Sequence, residues 1–266
     1  MDLKVGCTGW SYRSWSGRFY PKNLEQKRWL QFYSSIFDIT EVNSSFYRIP
    51  SSAVTRKWNN DTPCDFRFTL KFPKSITHDS RLNFEKCRDD YHSFIINLEP
   101  LKQKISVLVF QLPPSLTFDE CQTKLDIISK HLPNYFRYAI EGRHESWFEK
   151  NALEYLRCKK WCLVWNEVPM VDNPAPVTTD FVYLRMIGDR IIPDDSYGKI
   201  VREQRPILEK WSSKIKKISE NSDIKQAFVL LNNHLEGFSP NTANRFRGEM
   251  GLEMLEFKDK NQKMIF

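Results

Sequence analysis

Ionisable and amide side chains recur at the ends of apolar, strand-like runs in this 266-residue sequence. Residues 37–40 lead to Glu41 and Asn43, and residues 66–70 to Lys71. Residues 107–110 lead to Gln111, residues 138–140 to Glu141, Arg143 and His144, and residues 163–165 to Asn166 and Glu167. Residues 182–184 lead to Arg185, and residues 228–231 to Asn232. A charge at the end of a buried strand costs free energy unless it is paired or faces a cavity. Recurrence in one run after another implies that the strand ends share one cavity.

The residue types there could carry proton transfer and anion binding. Glu41 and Glu141 could divide acid and base roles, with Arg143 keeping its neighbour Glu141 ionised. The competing reading is internal pairing of each Glu with Arg or Lys, which satisfies buried charge and does no chemistry. His78 and His144 follow the third and fifth strands and could act as acid or base near neutral pH. With the two glutamates they could also hold a divalent metal, although no H-E-x-x-H or comparable spacing occurs. A loop hydrogen bond is the plainer role for each histidine. Lys71, Arg143 and Arg185 form a clamp for carboxylate or phosphate. Asn43, Gln111, Asn166 and Asn232 add neutral donors and acceptors, and a helix start at Ser239-Pro240 could offer backbone N–H groups to phosphate. Trp10, Tyr12, Trp15, Phe46, Tyr47 and Trp147 fall in expected loops, where they either stack on sugars and bases or pack as a hydrophobic lid. The Cys7 thiol reads as strand packing rather than as a nucleophile.

Eight strands position these groups: residues 3–8, a second ending near 43, then 65–71, 105–111, 136–141, 161–166, 180–187 and 226–232. Helical spacing separates most of them. The stripe Phe84, Cys87, Tyr91, Phe94, Ile95, Leu98 and Leu101 predicts one helix. Phe118, Cys121, Leu125, Ile128 and Leu132 predict another, and Phe148, Ala152, Leu153 and Leu156 a third. Ser51 and Ser52 can cap a short helix carrying Val54 and Trp58. A proline-rich connection (Pro169, Pro174, Pro176) replaces the helix after the sixth strand. A basic helix with Ile207, Leu208, Trp211, Ile215 and Ile218 on its buried side precedes the eighth, its charges forming a solvated face.

Strand–helix alternation with near-continuous apolar strands means a parallel sheet covered on both faces. Eight such strands favour a closed TIM-like (β/α)8 barrel over an open doubly wound sheet, and about 250 residues suffice for one. No linker divides residues 1–266, so a single domain is expected. Period-2 alternation puts Phe66, Phe68, Leu70 and Phe72 towards the helices and Thr69 and Lys71 into the barrel. The same parity groups Glu41 with Asn43, Glu141 with Arg143, and Tyr183 with Arg185.

Composition narrows the classes. Hydrophobic residues make up 41%, aromatic residues 14%, and glycine only 9 positions. Neither G-x-G-x-x-G nor a Walker loop occurs. The net charge of +7 favours anionic partners, nucleic acid among them. Six cysteines without a C-x-x-C pair, and no visible signal peptide, fit reduced thiols in the cytoplasm. No apolar stretch reaches membrane-spanning length, and nothing here sets the oligomeric state.

The segments Gly6-Cys7-Thr8-Gly9-Trp10-Ser11-Tyr12, Trp15-Ser16-Gly17 and Phe19-Tyr20-Pro21 resemble the opening of domain-of-unknown-function family 72, the YecE-like proteins. Glu41-Val42-Asn43-Ser44-Ser45-Phe46-Tyr47, Lys71 with Thr77-His78, and Phe110-Gln111-Leu112-Pro113 continue the resemblance. Glu141-Gly142-Arg143-His144-Glu145-Ser146-Trp147, Tyr183-Leu184-Arg185 and Asn232-Asn233 complete it. It implies a TIM-like barrel over almost the whole chain and no settled reaction. A likeness of the family to endonuclease IV-type barrels suggests DNA binding. The chain departs from the pattern at Cys7, at Gly142 where Phe or His is usual, at Ile187 in place of a histidine, and in the run after Asn233.

Three functions fit. The first is a hydrolase or lyase acting on an anionic or polyhydroxylated substrate at the carboxyl face of the barrel. The second is a nucleic-acid-binding or endonuclease IV-like protein, and the third a non-catalytic sensor of a small ligand.

Overall fold

A computed structural model describes residues 1–167 and 173–257. In chain order its regular elements are β1 (Asp2–Cys7), α1 (Trp29–Ile36), β2 (Ile39–Val42), α2 (Ser44–Tyr47), α3 (Ser52–Asn60) and β3 (Arg67–Lys71). Next come α4 (Phe84–Leu98), β4 (Ile105–Gln111), α5 (Phe118–Ser129), β5 (Tyr138–Glu141), α6 (Lys150–Lys159), β6 (Cys162–Leu163) and β7 (Trp165–Glu167). The last are β8 (Phe181–Met186), α7 (Arg205–Ser219), β9 (Gln226–Leu231), α8 (Asn233–Glu236) and α9 (Ser239–Glu249).

All strand pairings are parallel, in the order β6-β5-β4-β3-β2-β1-β9-β8-β7. The two ends of that order are consecutive in the chain. The expected sixth strand is broken at Val164, its first half pairing with β5 and its second with β8. The α/β fold is therefore a nearly closed TIM-like barrel of nine strand segments, rather than eight unbroken strands. No helix occurs among residues 173–180 before β8, as the prolines imply; Pro169 lies outside the described residues.

Alternation sorts the core into two shells. Leu70, Phe72, Leu108, Phe110, Ile140 and Leu184 join the helices in the outer layer. Ile39, Val107, Val109, Ala139, Cys162, Val164, Phe181, Tyr183, Phe228 and Leu230 fill the barrel interior. The junction between β1 and β2 is tight. A Cβ on Gly6 would lie 2.1 Å from the Ile39 carbonyl oxygen, so only glycine lets these backbones approach. The Tyr33 hydroxyl, delivered by α1, accepts from the Cys7 amide (2.8 Å) and donates to the Ile39 carbonyl (2.9 Å), completing a ladder of a single residue pair.

Helix ends follow local chemistry. Ser51 caps α3 through the Val54 amide, Asn83 caps α4, and Thr117 caps α5. Leu101, Leu132 and Phe148 lie just outside the helices whose stripes they extend, because α4 and α5 stop at Leu98 and Ser129 and α6 starts at Lys150. Helix α7 buries Leu208, Trp211 and Ile215 and turns basic residues outward, with Arg205 and Lys210 paired to Glu209 and Glu167. All six cysteines are free. Among the described residues no helix is long and apolar enough to cross a membrane.

Candidate functional site

Strand register places the polar residues in one layer at the carboxyl ends. Glu41 lies beside Thr69, Gln111 beside Glu141, and Asn166 beside Arg185. All six are buried, as is Lys71. Each continues the inward parity of its strand, so barrel closure brings together groups far apart in sequence.

Arg185 is the hub. Its Nε and Nη2 donate to Glu41 Oε2 and Oε1, both at 2.8 Å, in a bidentate fork. Its Nη1 donates to Glu141 Oε2 and, at 3.4 Å, to Gln111 Oε1. Arg143 donates twice to Glu141 Oε1, from Nε at 2.9 Å and Nη2 at 2.8 Å. The Tyr183 hydroxyl donates to Glu41 Oε2 (2.8 Å), so the Thr69 hydroxyl 2.6 Å away donates to Tyr183. Lys71 Nζ donates to Gln111 Oε1 at 2.9 Å and stands 3.9 Å from Glu41 Oε1. Charge-assisted, forked bonds of this kind are the strong ones.

Titration follows from this wiring. Burial would raise the Glu141 carboxyl, but Arg185, Arg143 and Lys71 outweigh it and hold it at about 2. Burial opposes the charge of Arg185, yet Glu141 and Glu41 keep its guanidinium firmly protonated. Burial, then the neighbouring Arg185 charge, bring Lys71 down to about 7 against the pull of Glu41 and Glu141. The expected acid/base division between Glu41 and Glu141 therefore does not fit the geometry. Both carboxylates are fully buried, and each of their four oxygens already accepts from a cation or hydroxyl. The competing reading, internal ion pairs, describes them. Of the charged groups in the network, those that reach the surface most are cations: the side chains of Lys71 and Arg143 are 8% and 11% exposed.

The histidines lie off this network. His78 sits on a π-helical turn, Ser75–Asp79, with Nδ1 2.9 Å from the Thr77 hydroxyl and its ring edge-on to Phe46 at 4.9 Å. Burial and the Arg143 charge lower its pKa, so it is neutral at neutral pH. His144 turns its Nδ1 to the Ser146 amide (3.2 Å) and caps the turn Glu145–Phe148. Among the described residues no group of three or more His, Cys, Asp or Glu side chains is placed to hold a metal ion, so the metal-ligand reading of Glu41, Glu141, His78 and His144 finds no geometric support.

The aromatic residues divide. Trp15 and Trp147 are fully buried. Trp15 joins the ring cluster of Phe19, Tyr20 and Phe238. Trp147 donates to the Leu116 carbonyl (3.0 Å) and backs onto Gly142, where a Cβ would meet its Cγ at 2.3 Å. Neither can stack on a ligand. Trp10 packs edge-on against Trp58 and the outward-facing Phe68, which puts it in the outer layer rather than over the strand ends. Tyr12 is half-buried, its ring 4.7 Å from Trp15 and its hydroxyl on the Thr8 carbonyl. Phe46, half-buried below Lys71 Nζ (5.9 Å), and Tyr47, 75% exposed, remain at the mouth.

Two further expectations change, while that for Cys7 does not. Asn232 is consumed structurally, donating to the Thr8 hydroxyl (2.6 Å) and capping α8 through the His234 amide. The start of α9 is plugged, because the Ser239 amide and hydroxyl both donate to Asn233 Oδ1 at 2.9 Å. Burial pushes the Cys7 thiol up to about 12, which leaves it unreactive. Asn43 donates weakly to the Thr8 carbonyl (3.4 Å) and has a buried Oδ1 without a partner among the described residues. Tyr183 and Thr69 belong to the site as well, beside Asn166, which the sequence already places there. Their shared parity with Arg185 and Lys71, and with Val164 for Asn166, is the signal that marks them. Asn166 leaves its Nδ2 buried and unpartnered among the described residues.

A cleft of about 830 Å³ opens at the opposite end, lined by Pro133, Arg137, Tyr138, Trp161 and Phe181. Those residues begin their strands or precede them. In barrels of this kind chemistry sits at the carboxyl ends, and that is where the charged network lies.

The family profile described as "Protein of unknown function DUF72" matches residues 4–264. UPF0759 protein YunF of Bacillus subtilis is 26% identical over 97% of this chain and 95% of its own length. UPF0759 protein YecE of Escherichia coli K12 is 31% identical over 57% of this chain and 52% of its own length. The crystal structure of a DUF72 family protein from Thermotoga maritima superposes with a TM-score of 0.79 at 26% identity, covering 94% of this chain and all of that one (100%). A DUF72 family protein from Enterococcus faecalis shares the fold with a TM-score of 0.76 at 19% identity, over 95% and 98% of the two chains.

Proposed function

We propose that this chain, which belongs to the DUF72 family, is an enzyme that binds an anionic, polyhydroxylated substrate over the carboxyl ends of the barrel strands. The observation that carries this reading is the layering of charge. The carboxylates lie underneath with every oxygen engaged, and the cations Lys71 and Arg143 lie between them and the surface. A buried carboxylate pair of this kind acts as a fixed counter-charge that orients two guanidinium groups. Arg143 can then meet a carboxylate or phosphate, while Asn43 Oδ1 and Asn166 Nδ2 offer an acceptor and a donor to hydroxyl groups.

Of the two reaction classes, a lyase fits better than a hydrolase. Hydrolysis by paired carboxylates needs one free acid and one free base or nucleophile, and neither Glu41 nor Glu141 has an oxygen to spare. Lys71, brought to about 7, is the group at the mouth that can exchange a proton near neutral pH. A small substrate fits better than a nucleic acid, because basic residues of α7 such as Arg205 and Lys210 are paired with acidic neighbours. The six unpaired thiols support a reducing, cytoplasmic setting.

The test is a turnover screen, followed by proton NMR, of phosphorylated sugars and sugar acids, with short DNA as a control. The expected result is product formation by the wild type, a loss of turnover of about 100-fold or more in Lys71→Met, and a raised KM in Arg143→Gln. Binding without turnover makes the protein a sensor and sinks the enzymatic reading. DNA binding with a steep salt dependence replaces the substrate class.

A further inference from the structure

Among the described residues, two lysines have buried amines, and they are held in opposite ways. Lys104 Nζ donates to the Asn59 carbonyl (2.6 Å), the Thr62 carbonyl (2.7 Å) and the Thr62 hydroxyl (3.1 Å). An ammonium group has three donors, and three acceptors surround this one, so Lys104 is a structural cation. Among the described residues, Lys71 has one hydrogen-bond acceptor, the neutral Gln111 Oε1 at 2.9 Å. The nearest carboxylate oxygen is 3.9 Å away and already accepts from the Arg185 fork. The floor that could neutralise an ammonium at Lys71 is thus occupied by two guanidinium groups.

Geometry also gives this amine a place to react. Lys71 closes β3 on the inward face, reaches the surface with 8% of its side chain, and lies over the Phe46 ring at 5.9 Å. His78 meets that same ring at 4.9 Å. An amine with vacant donor positions, poor solvation and cations around it is arranged as a nucleophile rather than as a counter-ion.

We propose that Lys71 forms an imine with the carbonyl carbon of its substrate, which makes the substrate class an aldehyde or ketone carrying a carboxylate or phosphate held by Arg143. The inference rests on the anion-binding reading of the same site. The neutral Nζ adds to the carbonyl carbon, and its lone pair becomes the new C–N bond. A proton passes from nitrogen to oxygen to give the carbinolamine. Loss of one water, carrying the former carbonyl oxygen, leaves the C=N bond. Once the imine is protonated, cleavage of the C–C bond between the adjacent carbon and a hydroxyl-bearing carbon sends that bond's electron pair into the C=C bond of an enamine and the C=N pair to nitrogen; the hydroxyl-bearing carbon leaves as an aldehyde, its hydroxyl proton passing to solvent, which is a lyase step. The amine is free to begin because burial and Arg185 lower its pKa to about 7, the opposing charges being Glu41 and Glu141, with Arg143 acting in the same sense as Arg185.

The test uses the full-length wild type with glyoxylate and sodium cyanoborohydride at pH 7, followed by peptide mass mapping. Hydride delivery to the imine carbon leaves a stable carboxymethyl group on nitrogen. Lys71 is expected to be labelled at least about tenfold faster than the exposed Lys27 and Lys150, and more slowly in Arg143→Gln. Calorimetric titration with glyoxylate runs in parallel. Arg143-dependent binding without a Lys71 adduct overturns the imine and leaves the anion site standing. Absence of both binding and adduct overturns both. Labelling of Lys71 no faster than that of the exposed lysines also overturns the imine.

Discussion

Replacing Arg185 with methionine tests the charged floor directly. Arg185 is 2% exposed and donates to both Glu41 and Glu141. In Arg185→Met, Glu141 keeps its two bonds from Arg143, whereas Glu41 keeps the Tyr183 hydroxyl and a lysine 3.9 Å away. Removing one partner of a buried ion pair costs about 3–5 kcal/mol, because the remaining charge is left desolvated. Against a typical total of about 5–15 kcal/mol, that is a large fraction of the fold's stability. The freed carboxylate can escape the cost by taking up a proton. The destabilisation should therefore be smaller at pH 5 than at pH 8, by about 1.4 kcal/mol for each pH unit over which that proton is bound. Urea denaturation followed by tryptophan fluorescence at the two pH values measures both quantities. Arg185→Lys should recover part of the loss, since it restores the charge without the fork, and it serves if the methionine variant does not fold at pH 8. Stability of Arg185→Met within about 1 kcal/mol of wild type at both pH values would refute the buried network as its source.

Acid should weaken the fold through Glu141. Its folded pKa of about 2 lies below the ordinary carboxyl value of 4.5, so its contribution is complete above pH 4.5 and is lost as pH falls towards 2, about 3 kcal/mol in all. Urea midpoints at pH 3 and pH 6 should show that slope in wild type and not in Glu141→Gln; an unchanged slope would assign it elsewhere. Gly142→Ala places a Cβ 2.3 Å from Trp147 Cγ. It should cost about 1–3 kcal/mol by overpacking, read as a lower thermal midpoint, and an unaltered midpoint would mean that Trp147 does not press on that backbone.

Much of the barrel can be read locally. Alternation along residues 66–72 assigns Lys71 to the interior from side-chain types alone, and the same rule places Glu41, Glu141 and Arg185, all of which the structure puts there. Ser51 announces its helix by capping chemistry that needs only three residues. The break at Val164 escapes this reading, since a strand that pairs on one side with β5 and then on the other with β8 looks continuous in sequence. Trp147 escapes it too, because an aromatic residue in a loop has the same local pattern whether it faces solvent or, as here, fills the space beside a glycine.

The sequence by itself determined which face of each strand a residue occupies, because the two-residue period is a property of the extended backbone. It therefore determined the membership of the charged layer. Only tertiary structure decided how the charges pair, because the partners of Arg185 lie 144 and 44 residues away and meet only when the barrel closes. Pairing then decided which charged groups stay free. With two carboxylates and one guanidinium buried together, electrostatics binds the acids to the arginines and leaves Lys71, among the described residues, with a single neutral hydrogen-bond acceptor. That is why the proposed chemistry falls on the amine and not on the glutamates, where residue type alone would put it.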